Sequence, residues 1–200
     1  KTHYEVACMA EANRIASAGH IAAREAFLAG GSEFEIQHAY LLATGHREQQ
    51  NPYGAIVALN ENAAVLHYQH YEMARLPAGD IKTLLIDAGA SCNGYAADIT
   101  RTYAYKPGRF ADLVEAVNQA QQAIVATISV GQNYTNLHMD MQLRLAQILA
   151  DADIVRMSPG QMVEQNVTFT FMPHGLGHLL GAQTHDVGGY QQTPAGAQQL

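Results

Sequence analysis

Two predicted strands joined by an Asn-Gly turn are the feature of this sequence that most limits its fold. Residues 83–89 form an apolar run, Asn93-Gly94 follows, and residues 95–105 have the composition of a second strand. Asn-Gly is the favoured dipeptide of two-residue hairpin turns. The pattern therefore predicts an antiparallel pair of strands.

The turn also fixes which side chains share a face of this pair. If Asn93-Gly94 is a two-residue turn, Asp98 lies opposite Gly89, which leaves open space there, and Gly89 is two residues from Asp87 on the same strand. Residues two apart point to the same face of a sheet, so the two aspartates become diagonal neighbours, with backbones roughly 7–8 Å apart. A three-residue loop would instead put them on opposite faces.

Two ionised carboxylates on one half-buried face repel each other unless a cation or a proton lies between them. The spacing of Asp87 and Asp98 is therefore typical of a divalent-metal pair. The alternative, which the spacing leaves open, is that one aspartate is a solvent-exposed strand residue while the other pairs with Arg101 or caps a backbone group.

The remaining elements alternate between helices and strands. Capping boxes and amphipathic spacing predict helices from Thr2, from Ser32 to near Gly45, and over about 110–128 and 134–152, while apolar runs predict strands at 53–59, 64–68 and 166–171. This order predicts an α+β fold, with helices packed on one side of a curved antiparallel sheet.

Composition narrows the class of protein. The 200 residues are 48% hydrophobic and 14% charged, as expected for one globular domain over residues 1–200. A net charge of −7 argues against nucleic acid as a partner, and no apolar run approaches the roughly 20 residues of a membrane helix. Two cysteines, Cys8 and Cys92, are too few for a disulfide framework, which favours a cytoplasmic location.

Histidines concentrate near the end of the chain, on a glycine-rich backbone. His174 and His178 have the HxxxH spacing of zinc peptidase helices, but the glycines between them disfavour a helix and the glutamate of HExxH is absent. With His185 they fit better as one metal ligand and two substrate-contacting groups. His67 ends the strand predicted at 64–68. Each histidine taken alone is more often structural.

These motifs together resemble the pita-bread (creatinase/aminopeptidase-like) metallopeptidases. The resemblance rests on IDAG at 86–89, GYAADITRT at 94–102, PHGLGH at 173–178 and HDVG at 185–188. Two further runs, ATGHR at 43–47 and residues 53–68, are most similar to bacterial Xaa-Pro dipeptidases (prolidases) and organophosphorus acid anhydrolases. The resemblance implies the pita-bread fold, incomplete at its C-terminal side.

The resemblance also implies a role for each matching residue. It makes Asp87 a bidentate ligand of one metal ion, Asp98 a bridging ligand and His178 a ligand of the second ion. It places His67, His174 and His185 as catalytic and substrate-binding groups and Tyr53 beside the substrate. The implied cofactors are two divalent ions, Mn²⁺ before Co²⁺. Two further glutamate ligands of the family match nothing here, so the 200 residues alone are expected to be inactive.

The implied activity is hydrolysis of Xaa-Pro dipeptides, in which a metal-activated hydroxide attacks the carbonyl before proline. The alternatives are an aminopeptidase P, which releases the residue before proline from longer peptides, and a non-enzymatic pita-bread binding module. The expected partners are a dipeptide with C-terminal proline and a second copy of the complete protein, as a homodimer, with neither nucleic acid nor membrane.

Overall fold

The computed structural model describes residues 1–187, 190–193 and 196–199. The chain divides into two compact units. The first unit comprises Lys1–Lys106 and Leu180–Asp186, and the second comprises Pro107–Leu179 and the described residues from Val187 onward. Within the described ranges, no helix is both long and apolar enough to cross a membrane.

Two helices open the first unit, and local capping explains where they begin. Helix α1 spans His3–Leu28, and helix α2 spans Glu33–Thr44. Thr2 and Ser32 each form a capping box with the glutamate three residues later, as predicted. Helix α2 ends at Gly45, whose left-handed backbone (φ 68°) is the usual helix stop.

The first unit contains the predicted antiparallel strands. Strand β1 is Ile56–Leu59, β2 is Thr83–Asp87, β3 is Ser91–Cys92, β4 is Tyr95–Ala96 and β5 is Thr100–Ala104. Strands β1, β2 and β5 form one antiparallel sheet in that order, while β3 pairs with β4. Asn93 and Gly94 both have positive φ (50° and 81°), as a type I′ turn requires. The predicted hairpin is confirmed.

The register of this hairpin continues without a slip into the larger sheet. Cys92 pairs with Tyr95 at the turn, and Asp87 pairs with Thr100 further along. Between these pairs, the Ala97 amide donates to the Ala90 carbonyl at 2.8 Å. The pairing offset is therefore constant from the turn to the end of β5, as a two-residue turn predicts.

One face of the sheet carries the core of the first unit. Val57, Leu84 and Ile86 point to this face, where they pack with Phe27 of α1 and Tyr40 of α2. All five side chains are fully buried, and burying each large apolar side chain stabilises a fold by about 1.5–3 kcal/mol. In this unit the helices therefore cover one side of the sheet, as predicted.

The strand predicted at 64–68 is wrong. Asn60–Ala64 forms a 3-10 helix instead, and His67 lies in a turn with φ 55°. The Asn60 side chain accepts hydrogen bonds from the amides of Lys82 and Thr83. Its own φ of 51° turns the chain away from the sheet.

The second unit begins with three helices. They are α3 at Arg109–Val125, α4 at Tyr134–Asp151 and α5 at Pro159–Glu164. Buried residues Ile124 of α3 and Met141 of α4 belong to one apolar cluster. Helices α3 and α4 confirm the two predicted amphipathic helices to within three residues at each end.

The strand predicted at 166–171 is also wrong, because Val167–Thr170 forms a 3-10 helix. Asn166 adopts the left-handed region (φ 58°), and Val167 then packs on the cluster of Leu149 and Met162. Packing against α4 and α5 thus replaces sheet pairing. Two strands not predicted, β6 (Tyr190–Thr193) and β7 (Gly196–Gln199), pair antiparallel with each other. Gly188, the last residue of the HDVG motif, lies outside the described residues.

Candidate active site

Asp87 and Asp98 lie on the sheet face opposite the two helices. Ile86 points into the helix-covered core, so its neighbour Asp87 points to the other face. The constant register puts Asp98 opposite Gly89, on the same face as Asp87. Both aspartates are half-buried. The predicted same-face arrangement is confirmed.

The Tyr53 hydroxyl joins the two carboxylates. It lies 2.7 Å from Oδ1 of Asp87 and 2.9 Å from Oδ1 of Asp98. A phenol has a single proton to donate, so the two carboxylates share one donor. Sequence reasoning alone gave Tyr53 no role, because nothing local to residue 53 shows that its ring reaches this face.

The open space expected at Gly89 is wrong, because the Tyr53 ring occupies it. A Cβ atom at residue 89 would lie 2.1 Å from the Ala97 carbonyl oxygen. It would also lie 2.8 Å from the Tyr53 Cε1 and Pro52 Cγ atoms. Glycine is therefore required by the close approach of backbone and ring.

The surroundings of these groups favour a bound cation. Burial raises the pKa of Asp87 and the charge of Asp98 raises it further, while the hydrogen bond from Tyr53 opposes both. Burial and the two carboxylates also raise the pKa of Tyr53, which keeps the phenol a neutral donor. Arg101, the alternative partner, is exposed and donates from Nη1 to the Thr100 carbonyl. Hard oxygen donors that repel each other fit a divalent metal ion.

A cavity of about 640 Å³ opens over this pair. Its lining includes five residues predicted for the site, namely Tyr53, His67, Asp87, Asp98 and His185. It also includes Gln69, which was not predicted. Ligand cavities for small molecules measure roughly 300–1,000 Å³. The cavity is therefore of the right size for a small-molecule ligand.

Two of the predicted histidines reach this cavity. His67 is exposed and lines it from the turn after the 3-10 helix at Asn60–Ala64. A ring nitrogen of His185 lies within 4.8 Å of a carboxylate oxygen of Asp98. The segment of His185 is tied to strand β4, because the Ala96 amide donates to the Gly181 carbonyl at 2.8 Å.

The other two histidines, His174 and His178, belong to the second unit, where both are exposed. The His178 Nδ1 atom lies 3.0 Å from the Leu179 carbonyl oxygen. Because a carbonyl can only accept, Nδ1 is the donor in this contact, and Nε2 is the ring nitrogen that is left for a ligand. Tyr134, which sequence reasoning missed, holds the preceding turn: its hydroxyl donates to the Gly177 carbonyl at 2.7 Å and accepts from the Gly177 amide.

The chain is similar in sequence to known proteins. The family profile for metallopeptidase family M24 matches residues 7–199. The chain is 54% identical over 200 residues to a Xaa-Pro dipeptidase of Pseudoalteromonas haloplanktis, and 50% identical over 196 residues to one of Aeromonas hydrophila. The matches cover 100% and 98% of this chain but only 45% and 44% of those relatives, so the chain spans less than half of their length.

Solved structures of aminopeptidase P from E. coli are also similar. A zinc-substituted form in complex with product superposes with a TM-score of 0.85 at 27% identity, covering 94% of this chain and 43% of that one. A low-pH form superposes with a TM-score of 0.86 at 28% identity, covering 96% and 44%. These matches confirm the predicted α+β pita-bread fold.

Proposed function

The chain belongs to metallopeptidase family M24, and from that premise we propose that the protein containing it hydrolyses Xaa-Pro dipeptides. The observation that carries the proposal is the pair of Asp87 and Asp98 at the cavity, linked by the Tyr53 hydroxyl. This pair occurs in a chain that is 54% identical to a Xaa-Pro dipeptidase. Fold alone would not be enough, because one fold supports many activities.

Asp87, Asp98 and His178 would hold the divalent ions in this proposal, and Mn²⁺ is the first candidate. Carboxylate oxygens with one imidazole are a donor set suited to Mn²⁺ rather than to a thiolate-preferring ion. When bound, such ions polarise a carbonyl oxygen and make water a nucleophile at neutral pH. The carboxylate pair also gains, because positive charge between Asp87 and Asp98 offsets their mutual repulsion.

The remaining residues would act on the substrate directly. His67 and His185, which line the cavity, have side chains able to hold or move a proton near neutral pH. His174 has the same proposed role, which for this residue rests on the family resemblance. Tyr53 would keep the two carboxylates turned toward each other, because its proton is the shared partner of both Oδ1 atoms.

Several wider properties belong to the same proposal. Residues 1–200 would form part of one catalytic domain of a cytoplasmic homodimer, and dipeptides with C-terminal proline would be its substrates. The formal net charge of −7 supports a protein that does not bind nucleic acid, because the phosphate backbone would be repelled.

Aminopeptidase P activity is the second candidate, since the similar solved structures are of that enzyme. The dipeptidase is favoured because the two Xaa-Pro dipeptidases named above are 54% and 50% identical to this chain, against 27% and 28% for the two aminopeptidase P structures.

A substrate series on the whole protein tests the proposal. After chelation and reloading with Mn²⁺, hydrolysis of Ala-Pro, Ala-Pro-Gly and Ala-Ala is compared. Fast cleavage of Ala-Pro alone supports the dipeptidase. Preference for Ala-Pro-Gly would establish the aminopeptidase instead, and no cleavage of either proline peptide would leave a binding module.

A further inference from the structure

Glu33, the first residue of helix α2, is a buried carboxylate that serves two separate parts of the chain. Its side chain is only 1% exposed. It accepts four hydrogen bonds, from the Leu59 amide (2.7 Å), the Asn62 side chain (2.9 Å), the Tyr68 hydroxyl (2.7 Å) and the Glu72 amide (2.9 Å). An acidic side chain at a helix N-terminus needs none of these donors to interact favourably with the helix dipole. Glu33 therefore also has a role outside helix α2.

The four donors are divided evenly between the two oxygens. Oε1 holds the end of strand β1 and the 3-10 helix, through Leu59 and Asn62. Oε2 accepts from Tyr68 and Glu72, which lie further along the chain, beyond His67. Glu33 therefore joins the two ends of segment 59–72, which forms a loop.

His67 lies inside this loop, directly before the buried Tyr68. Its backbone is left-handed (φ 55°), a conformation that a residue with a Cβ keeps only when its surroundings enforce it. Tyr68 is 6% exposed, and its hydroxyl contacts both Glu33 and the Asn62 side chain. The buried Tyr68 thus anchors the exposed His67.

The far side of the loop returns to the segment that leads from Tyr53 into strand β1. The Gln69 side chain donates to the Gly54 carbonyl at 3.1 Å, and the Tyr71 hydroxyl donates to the Ala55 carbonyl at 2.5 Å. His67 therefore lies between anchored residues, Asn62 before it and Tyr68 after it, and it lines the cavity.

We propose that Glu33 is a positioning residue, which acts through Tyr68 to place the His67 imidazole in the cavity. The role assigned to His67 rests on the proposed function, whereas its placement by Glu33 does not. Glu33 itself does not line the cavity.

Glutamine cannot replace this carboxylate, although it has the same shape. An amide offers one oxygen and one NH₂ group, and each oxygen of Glu33 receives one backbone amide, from Leu59 or from Glu72. Whichever way the amide of Glu33→Gln turns, one of these N–H groups faces another donor and is left buried without an acceptor. The loop must then move on one side.

The matched control is Glu61→Gln, in the same loop. Glu61 is exposed, so this variant removes the same charge without touching the four hydrogen bonds. Tyr68→Phe is the milder second variant, because it removes only the hydroxyl of the residue after His67 and leaves Glu33 with three donors.

The first measurement needs no substrate. In the whole protein without metal, the His67 Cε1–H resonance is assigned by comparison with His67→Ala and followed by NMR. We expect Glu33→Gln and Tyr68→Phe to shift this resonance, and Glu61→Gln to leave it in place. An unmoved resonance in both variants would overturn the proposal, whatever reaction the protein catalyses.

The second measurement is a double-mutant cycle on Ala-Pro hydrolysis. Small misplacements of catalytic groups cost up to about 100-fold in rate, so we expect Glu33→Gln to lower kcat by about 10–100-fold with KM changed less than threefold. In the His67→Ala background the same change should have almost no further effect, because coupled residues are not additive. Multiplying effects would show that Glu33 acts elsewhere and would contradict the proposal.

If Glu33→Gln does not fold, Tyr68→Phe serves in the same cycle. If the wild type does not cleave Ala-Pro, the proposed function fails while the NMR measurement still decides the role of Glu33.

Discussion

At the scale of single residues, two acidic side chains on one sheet face share a phenolic proton, and each is expected to be indispensable. We predict that Asp87→Asn and Asp98→Asn in the whole protein each lose bound metal and lower kcat/KM by more than about 100-fold, since even residues that support a ligand are worth 10–100-fold. Metal analysis and Ala-Pro kinetics measure both effects. Asp112→Asn, at an exposed position in α3, is the matched control. Activity within tenfold of wild type with metal retained would exclude these aspartates as ligands.

Tyr53 can be tested without disturbing the packing around Gly89. Tyr53→Phe keeps the ring that fills the space and removes only the hydroxyl between the carboxylates. We expect a 10–100-fold loss of metal affinity or activity, the usual effect of removing a hydrogen bond to a metal ligand, with little change in stability. Calorimetric Mn²⁺ titration measures the affinity. Tyr103→Phe, in strand β5, should behave like wild type, and an equal loss there would point to a general effect on the fold.

His20 gives the fold a predictable dependence on pH. Its Nε2 lies 3.0 Å from the Ala88 carbonyl oxygen, its ring contacts Tyr40, and among the described residues nothing pairs with its buried Nδ1. Burial lowers the pKa of His20, and the charge of Arg101 lowers it further. The unfolded chain therefore takes up a proton below pH about 6.5 before the native state does.

The sign of this effect follows directly. Native stability contributed by neutral His20 is present above pH about 6.5 and is lost as the pH falls toward the lowered pKa, by at most about 1.4 kcal/mol per pH unit for one proton. Urea unfolding of the metal-free whole protein at several pH values measures the slope. His20→Gln keeps an N–H donor without titrating, so its slope should be shallower. Identical slopes would mean that His20 does not titrate differently in the two states.

At the scale of elements, the Asn93-Gly94 turn sets the register of the strands that it joins, and thereby the sheet face on which Asp98 lies. We predict that one glycine inserted between these residues shifts the pairing by one position, which moves Asp98 to the opposite face. Bound metal and Ala-Pro hydrolysis should then be lost by more than about 100-fold, as for a removed ligand. A glycine inserted after Gly131, in the exposed loop between α3 and α4, should be tolerated. Retained activity in the turn variant would mean that a bulge absorbs the extra residue.

The elements also show what the sequence could predict and why. Capping boxes at Thr2 and Ser32 and the turn at Asn93-Gly94 depend on residues close in sequence, and all were correct. The strands predicted at 64–68 and 166–171 failed because contacts outside each segment decide its conformation. The first is bent by hydrogen bonds to Glu33, and the second packs against α4 and α5.

At the scale of the whole molecule, the same distinction applies to the candidate site. The Asp87 and Asp98 pair followed from local register, whereas Tyr53 and His67 were identified only through the family resemblance. Glu33 was missed because an acidic first residue of a helix is ordinarily explained by the helix dipole. Its four donors come from residues 26 to 39 positions away, and such contacts leave no local pattern.

Metal binding should stabilise the whole protein by an amount that grows with the logarithm of the free ion concentration once it exceeds Kd. At a free Mn²⁺ concentration of 100 times Kd, one site adds about 2.7 kcal/mol to the free energy of unfolding. We therefore expect Mn²⁺ to raise the Tm, EDTA to reverse the change, and Asp98→Asn to abolish it. Scanning calorimetry with and without Mn²⁺ measures the shift. A Tm increase that persists in Asp98→Asn would place the stabilising ion elsewhere.

The turn that aligns the two aspartates is also a site of slow spontaneous deamidation. Asn-Gly is the dipeptide whose side-chain amide is most readily lost through a cyclic imide, and reopening of that imide inserts the side-chain methylene of residue 93 into the main chain. Such an isoaspartyl link would lengthen the two-residue turn between Cys92 and Tyr95, on which the alignment of Asp98 with Gly89 depends. Spontaneous ageing at Asn93 would therefore damage the candidate metal site from a distance, without altering either carboxylate.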